Sequence, residues 1–246
     1  MFGYWLFFSM ATYKTKAIIL SSYPYKEHDR IITFFSADYG RMEARARGTR
    51  KIESKLAGHL EPFIETELLL AHGKHWDILA GSRTICGHER LRGQLELRAA
   101  ASLVAEAVKL ITKPLSAERP VWHELKEALT ILDTEAYSLE EKKAVAIRFL
   151  WKLLAYSGFT PELGRCINCR QDMQTGAFSC EGGGMLCPAC QHYDLLAIPL
   201  SGDRLDSLRK NMPILHEDLA AVIIGFWRQV VDYTELKSWN FFKAVL

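Results

Sequence analysis

The chain has 246 residues, of which 49% are hydrophobic and 24% charged, a balance typical of a folded globular protein rather than a disordered one. Lys and Arg total 31 against 29 Asp and Glu, so the formal net charge is only +2 and any affinity for a polyanion must come from a local patch. The length allows one large domain or a few small ones.

The first ten residues, MFGYWLFFSM, are strongly apolar. They are too few for a membrane-spanning helix, which needs about 20 apolar residues, and they lack the basic start and cleavage site of an export signal. We therefore expect residues 1–11 to be a non-native or disordered leader, with Met10 as a plausible start; a short strand or a hydrophobic anchor is the alternative. Because no later apolar segment exceeds the length of a core helix, we expect a cytoplasmic protein without membrane contact.

The segment from residue 12 to 88 is predicted to form a five-stranded barrel of the OB-fold type. Short runs rich in Ile, Leu, Phe and Thr alternate with turn-prone stretches such as SYPYKEHD and ADYG. A Greek-key barrel of this size is commonly an OB-fold, which binds oligonucleotides chiefly over its second and third strands. The expected strands are KTKAIILSS, DRIITFF, RMEARARG, FIETELLLA and HWDILAGSRTI.

The third of these strands opens the most basic part of the chain. Because strand side chains alternate between faces, its charged residues share one side and its small or apolar residues the other. The two sets are Arg41, Glu43, Arg45 and Arg47, and Met42, Ala44, Ala46 and Gly48. Together with Arg50, Lys51 and Lys55 after the strand, the outward row predicts a nucleic-acid surface; the alternative is a charged face that only keeps an edge strand soluble. Nearby Tyr39 and Trp76 could stack bases, although filling the barrel is the favoured interpretation.

Residues 89–246 are predicted to form a helical bundle interrupted by one inserted segment. The first helix begins near residue 91 and ends before Pro114, and the second opens with Pro120 in its first turn. Their apolar stripes predict two sets of core residues. These are Leu95, Ala99, Leu103, Ala107 and Leu110, and Val121, Trp122, Leu125, Leu129 and Leu132.

A third helix is predicted from Ser138, which forms a capping box with Glu141, to Gly158. More helix is expected after Pro199, on the far side of the inserted segment. Both flanks of that segment would therefore contribute to the bundle.

The inserted segment, residues 164–193, contains two C-x-x-C pairs. Cys166 and Cys169 form the first, and Cys187 and Cys190 form the second. Each pair at this spacing forms a tight turn whose thiolates point the same way, and two such turns complete a tetrahedral zinc site. Four cysteines leave no position for an activated water, so one structural Zn²⁺ is expected.

Other uses of the cysteines fit less well. Disulfides would not persist in a cytoplasmic chain, and a thioredoxin-like redox motif needs a single C-x-x-C at a strand-to-helix junction. Cys180 and His192 lie close enough in sequence to replace a ligand, whereas Cys86 is expected to be an ordinary core or interface thiol.

The sequence offers no catalytic motif. His59-Leu60-Glu61 matches half of a zinc deaminase signature, but that signature has a proline before its cysteines, whereas Pro188 lies inside a pair here. A phosphate-binding loop, a nucleophile elbow and an H-E-x-x-H motif do not occur in the sequence. We therefore expect that the protein is not an enzyme.

The order of these parts resembles the RecO family of bacterial recombination mediators. The resemblance covers nearly the whole chain from about Thr12, and its most specific pieces are KEHDRIITFFSADYG followed by the arginine strand and RKIESKL, and the G-F-x-P-x-L-x-x-C entry into the cysteine segment. The fold class expected is α+β multidomain, with an N-terminal OB-fold β-barrel, a helical bundle domain and an inserted zinc-ribbon-like segment whose metal ligands are four cysteines.

The resemblance implies a nucleoid-associated protein that binds single- and double-stranded DNA, anneals complementary strands and assists recombinase loading in DNA repair. The partners it implies are RecR and the C-terminal tail of the single-stranded DNA-binding protein, for which the sequence assigns no surface. Some members lack the cysteines, so the metal would brace the fold. The implied DNA-facing residues are Arg41, Arg45, Arg47, Arg50, Lys51 and Lys55, with Lys14, Lys16 and Arg83 on neighbouring strands as further candidates. An RNA-associated accessory protein with an OB-fold and a zinc ribbon is the alternative function.

Overall fold

The structure is a computed structural model, and it describes residues 12–51, 53–54, 56–210, 217–232 and 234–245. The expected leader, residues 1–11, lies outside the described residues. The chain divides into two compact units. The first comprises the described residues through His88 together with Lys113–Trp122, and the second comprises Glu89–Thr112 and the described residues from His123 onward. The segment Lys113–Trp122, which we expected in the helical domain, therefore groups with the barrel.

The first unit contains a closed five-stranded barrel. Its strands are β1 (Thr12–Tyr25), β2 (Asp29–Ser36), β3 (Gly40–Ala46), β4 (Glu65–Ala71) and β5 (Asp77–Cys86). The strand order is β1-β2-β3-β5-β4, with β4 paired to β1, and every pairing is antiparallel except that of β3 with β5. This is the topology of an OB-fold, so the predicted fold class is confirmed.

Alternate side chains of the strands fill the barrel. Met42, Ala44 and Ala46 of β3 point into this core, and none is more than 8% exposed. The parallel pairing that closes the barrel joins β3 to β5 only at two residue pairs, Ala44 with Asp77 and Arg45 with Ile78. The first half of β3 therefore has no strand partner on the side of β5.

Strand β1 is longer than predicted and continues through Pro24 to Tyr25. A bulge between Ile19 and Ser21 bends the strand, so that one half pairs with β4 and the other with β2. The sequence places Pro24 in a turn-prone stretch, but it lies within β1, because the residues on both sides of it pair with β2.

The second unit is largely helical. Among the described residues the helices are α1 (Glu89–Gly93), α2 (Leu95–Ile111), α3 (Arg119–Asp133), α4 (Leu139–Tyr156), α5 (Gly202–Arg209), α6 (Glu217–Val230) and α7 (Lys237–Val245). Helix α2 packs against α4 and α7, and α4 packs against α6. The predicted capping box of α4 is confirmed, because Ser138 Oγ accepts from the N–H of Glu141 and the Glu141 carboxylate accepts from the N–H of Ser138. In the described part of the chain, no helix has the length and apolar character needed to cross a membrane.

The predicted core residues of α3 are all buried, but the stripe predicted for α2 is wrong at both ends. Leu95 is 51% exposed and Leu110 is 37% exposed, whereas Leu97 and Val108 are buried. The predicted first helix is also divided in two, because the extended backbone of Gln94 separates α1 from α2. Helix α7 was not predicted, because its nine residues are too few to establish a helical period from the sequence.

The chain between α4 and α5 includes the cysteine segment, residues 164–193, and forms a three-stranded antiparallel sheet. Its strands are β6 (Gly176–Ser179), β7 (Gly184–Leu186) and β8 (Ile198–Leu200), in the order β7-β6-β8. The turn from β6 to β7 places Gly183 at a φ of 66°, a conformation that glycine adopts at little cost. Gly183 therefore allows the sharp bend between the two strands.

Candidate nucleic-acid interface and cysteine cluster

Strand β3 presents its charged residues on the outside of the barrel. Arg41 and Arg45 are half-buried and Glu43 is exposed, while the residues that alternate with them lie in the core. The predicted alternation is thus confirmed through residue 46. It is wrong for Arg47 and Gly48, because β3 ends before them and both belong to the following turn. We call residues 47–51 the cationic turn.

Asp29, the first residue of β2, anchors the cationic turn. Its carboxylate accepts hydrogen bonds from the N–H of Gly48 at 2.8 Å and from Nε of Arg45 at 2.7 Å. Asp29 is buried, and the Gly48 N–H, assisted by the Arg45 guanidinium, holds the pKa of this carboxyl below its ordinary value of 3.8. Arg45 also lies over the ring of Tyr25, 5.4 Å from the centroid. Arg45 therefore stabilises the barrel, a role that its predicted outward position did not indicate.

The cations of the turn itself are more accessible than Arg45. Arg47, Arg50 and Lys51 are exposed. Nη1 of Arg50 donates to the carbonyl oxygens of Lys26 and Glu27 at 3.2 and 3.1 Å, and so connects the cationic turn to the turn between β1 and β2. Lys55 lies outside the described residues, so its expected place in this group is not described.

The further candidate cations lie on other strands. Lys14 and Lys16 of β1 pair with Leu69 and Glu67 of β4, and Arg83 of β5 forms an ion pair with Glu67 at 3.5 Å. The expectation that they lie on strands neighbouring β3 is wrong for the two lysines, because β2 separates β1 from β3. Arg83 lies on β5 beyond the residues that pair with β3. We call this group of three exposed cations the second outer surface.

The outer side of β2 is not accessible, contrary to the expectation of an open face over strands two and three. Ile31, Thr33 and Phe35, which pair with the charged residues of β3, are at most 5% exposed. On the outside of the barrel, the accessible region is therefore the edge of β3 that lies away from β2.

A groove of about 660 Å³ lies on that side of β3. Its lining includes Tyr39 and Trp76, which are not part of the barrel core, so the interpretation that they fill the barrel is wrong. Tyr13 and His72, which no sequence pattern had indicated, also line the groove, and their rings stack with centroids 4.9 Å apart. The signal was absent because these residues come from separate segments and share no periodicity.

The connection between α2 and α3 closes one side of the groove. Pro114 forms a parallel β-bridge with Arg41, and the N–H of Leu115 donates to the Arg41 carbonyl at 3.0 Å. Gly40 makes this close approach possible, because a Cβ there would lie 1.8 Å from the carbonyl oxygen of Ser116. The connection thus occupies the part of the β3 edge that β5 leaves open.

The four predicted cysteines of the zinc motif come together. The Sγ atoms of Cys166, Cys169, Cys187 and Cys190 all lie within 4.8 Å of one another, and those of Cys169 and Cys187 are 3.7 Å apart. A tetrahedral zinc ion with bonds of about 2.3 Å requires sulfur atoms about 3.8 Å apart. The residues present therefore fit a tetrahedral metal ion with four thiolate ligands.

Hydrogen bonds to sulfur support this arrangement. The N–H of Cys187 donates to Sγ of Cys166 at 3.4 Å, and Nδ2 of Asn168 donates to Sγ of Cys190 at 3.3 Å. Burial raises the pKa of the Cys166 thiol, but the N–H groups of Cys169, Cys187 and Asn168 outweigh it and lower that pKa to about 6. Backbone donors thus favour the thiolate form of Cys166, which metal binding needs. At Cys190 the Asn168 side chain lowers the pKa, but burial and hydrogen bonds with the other three cysteines outweigh it and raise that pKa to about 11.

Cys180 and His192 do not join the cluster. Within the described residues, the group of side chains close enough to hold a metal contains only the four named cysteines. Sγ of Cys180 points instead to the carbonyl of Val222 at 3.9 Å, and burial raises the pKa of this thiol to about 11. The ring of His192 packs on Tyr193.

Comparisons with known proteins match both parts of the chain. The family model for the recombination protein O N terminal matches residues 10–85, and the model for its C terminal matches residues 92–219. Relatives described as DNA repair protein RecO include one from Dehalococcoides mccartyi that is 36% identical over 199 residues, or 80% of this chain and 77% of that protein. Another, from Desulforudis audaxviator, is 30% identical over 192 residues, or 77% of this chain and 75% of that protein.

Loss of the Arg45 guanidinium is expected to destabilise the barrel. In Arg45→Gln the buried Asp29 carboxylate keeps its hydrogen bond from the Gly48 N–H but loses the guanidinium that pairs with its charge. This loss should cost about 1–3 kcal/mol of unfolding free energy. Lys51→Gln, in the exposed turn, should change it by less than about 0.5 kcal/mol, because Lys51 is not among the groups that lower the Asp29 pKa. Urea unfolding of both variants measures the difference, and equal stabilities would show that Asp29 does not depend on Arg45.

The contribution of Asp29 should also depend on pH. Because its folded-state pKa is depressed, the stabilisation is present above the unfolded-state value, near pH 4, and is lost as the pH falls through the lowered folded-state pKa. Wild type should therefore exceed Asp29→Asn in unfolding free energy at pH 7, and the difference should shrink in acid. A difference that stays constant down to about pH 2 would contradict the role given to this carboxylate.

Proposed function

The chain belongs to the RecO family of DNA repair proteins, and from this premise we propose that it is a recombination mediator that binds and anneals single-stranded DNA and assists recombinase loading. The observation that carries the proposal is the exposed cationic turn on a barrel of OB topology, a fold that commonly binds oligonucleotides. In this proposal the protein acts at the nucleoid and catalyses no covalent reaction.

Attraction to phosphates is the proposed source of affinity. Each cation that neutralises a phosphate releases counterions, which gives affinity without reading base sequence. We assign phosphate contacts to Arg47, Arg50 and Lys51, which are exposed, and to Arg41 at the start of the row. Arg45 would act mainly by holding the cationic turn in place through Asp29. Lys55 stays a candidate outside the described residues.

Annealing would follow from the same electrostatics. Two DNA strands repel each other, and a cationic surface that holds one strand lowers the cost of bringing its complement close. The second outer surface, with Lys14, Lys16 and Arg83, offers exposed positive charge for another strand or for duplex DNA. Pairing itself would be left to the bases, so the protein would need no sequence preference.

The proposed protein partners are RecR and the C-terminal tail of the single-stranded DNA-binding protein. This proposal rests only on membership of the RecO family. An acidic tail would need accessible Arg or Lys residues beside an apolar pocket. Lys142 and Lys143 are only 4% and 7% exposed, so they are poor candidates, whereas Arg119 and Lys126 are exposed.

We also propose that Cys166, Cys169, Cys187 and Cys190 bind one structural Zn²⁺. When bound, the ion would supply folding free energy by fixing the two cysteine turns to each other. Arg209 of α5 donates to the carbonyls of Leu163 and Met173 at 2.7 and 2.9 Å, on both sides of the first turn. The fold of the cysteine segment is thus linked to the helices of the same unit, which supports a bracing role.

The zinc proposal predicts a difference between two cysteine variants. Cys187→Ser should lose the metal and destabilise the second unit, because binding free energy in such a site is folding free energy. Cys180→Ser, the matched control in the same segment, should keep one zinc per chain, since its Sγ lies outside the cluster. Elemental analysis of freshly purified protein gives the answer: no zinc in wild type, or its loss on changing Cys180, would contradict the assignment.

The functional proposal predicts that the cationic turn is needed for annealing. Reversing both charges in Arg47→Glu with Lys51→Glu should slow the annealing of complementary strands on the order of ten-fold at moderate salt. The melting temperature should stay the same, because neither side chain contributes to the barrel core. A fluorescence assay with labelled strands measures the rate, with non-complementary strands as the control.

The same assay separates the proposal from an RNA-associated role. A single-stranded RNA of matched sequence is added as competitor, with and without RecR. We expect DNA to be bound and annealed, and RecR to modify this activity. Preferential binding of RNA together with no annealing of DNA would contradict the proposal and favour an RNA-associated accessory protein.

A further inference from the structure

We propose that the groove beside β3 binds unpaired nucleobases by stacking, and that this lets the protein distinguish single-stranded from base-paired DNA. The inference rests on the proposed function and adds to it a base-binding site next to the phosphate-binding turn. Its residues come from β1, the turn between β2 and β3, β3 itself, the loop between β4 and β5, the start of β5, and the connection between α2 and α3.

Aromatic rings provide the stacking surfaces. Tyr13 contacts Tyr39 edge-on, with centroids 5.1 Å apart, and stacks on His72. Trp76 lines the groove and also contacts the ring of Tyr25, 5.3 Å away, over which the guanidinium of Arg45 lies. A series of ring contacts therefore leads from the groove to the residue that holds the cationic turn. Such rings bind successive bases in many single-strand-binding proteins, because every base has a π face.

The size and charge of the groove favour bases over phosphates. Its volume of about 660 Å³ lies in the range of pockets for small molecules. The lining contains one guanidinium, from Arg41, but two carboxylates, from Glu43 and Asp77. Apart from the contact proposed for Arg41, a phosphate would be repelled here. The Asp77 carboxylate already accepts from the Tyr13 hydroxyl, whereas the Glu43 carboxylate can accept a hydrogen bond from an exocyclic amino group. Phosphates would remain outside, at the cationic turn.

The walls of the groove restrict the bases that can enter. Pro114 and Leu115 line it and are tied to β3 by backbone contacts with Arg41, so the wall that they form is held in place. A base inside a duplex is stacked on both sides and must leave the helix before it can reach such a site. Single strands present their bases without that cost, so the groove should select them.

The direct test compares oligonucleotides that differ only in their bases. Wild-type protein is titrated with a fluorescent thymidine oligonucleotide and with an abasic oligonucleotide of the same length, which has the same phosphates but nothing to stack. We expect the strand with bases to bind at least about ten-fold more tightly. Equal affinities would overturn the inference and leave the proposed DNA binding intact, whereas binding of neither strand would overturn both.

Two variants locate the effect. Tyr39→Leu combined with Trp76→Leu removes two π faces from the groove and should reduce the preference for bases to below about three-fold, while affinity for the abasic strand stays the same. Tyr23→Leu is the matched control, because Tyr23 is 44% exposed on β1, close to the 39% of Tyr39, and does not line the groove. A preference that survives in the double variant would overturn the assignment.

A measurement on the wild type covers the case in which the double variant does not fold. A strand that contains 5-iodouracil is bound, irradiated and mapped by mass spectrometry. Cross-links are expected at Tyr39, His72 or Trp76. Cross-links found only in other segments would overturn the proposed site.

Discussion

The hydrogen bonds of the buried Asp29 carboxylate fix the cationic turn against the barrel. This one side chain at the start of β2 accepts hydrogen bonds from the Gly48 N–H of the turn and from the Arg45 guanidinium at the end of β3. Arg45 in turn packs on Tyr25, and Tyr25 contacts Trp76 in the loop between β4 and β5. Three exposed cations within five residues repel one another, so a fixed backbone is needed if they are to present charge at a constant spacing.

The short pairing between β3 and β5, which closes the barrel at only two positions, determines what lies beside that turn. Because β3 pairs with β5 at only two positions, the first half of its edge is left to the connection between α2 and α3 and to the groove. The proposed division of roles follows from this geometry: cations at the end of β3 for phosphates, and rings along its open edge for bases. The cysteine segment lies in the other unit, and its proposed metal would act on stability rather than on this surface.

Local patterns in the sequence predicted local features well. The alternation of β3 through residue 46, the capping box at Ser138 and the C-x-x-C spacing within each cysteine pair are short-range patterns, and all have the predicted result in the structure. The two cysteine pairs lie farther apart in the sequence, but their shared motif identified them as ligands of one site. The features that were missed depend on tertiary contacts. No periodicity could show that Arg45 pairs with Asp29, 16 residues away, that β2 is covered on its outer side, or that Tyr13 and Trp76 line one groove.

The central claim, that DNA is held through phosphates at the cationic turn, is tested most directly by the salt dependence of single-strand affinity. Each phosphate contact contributes roughly 0.7 to the slope of log affinity against log salt, so Arg47→Gln with Lys51→Gln should flatten that slope by about 1.4. Lys14→Gln with Lys16→Gln removes the same charge from the second outer surface and should flatten it much less. An unchanged slope for the first pair in a folded protein, or equal changes for both pairs, would contradict the account.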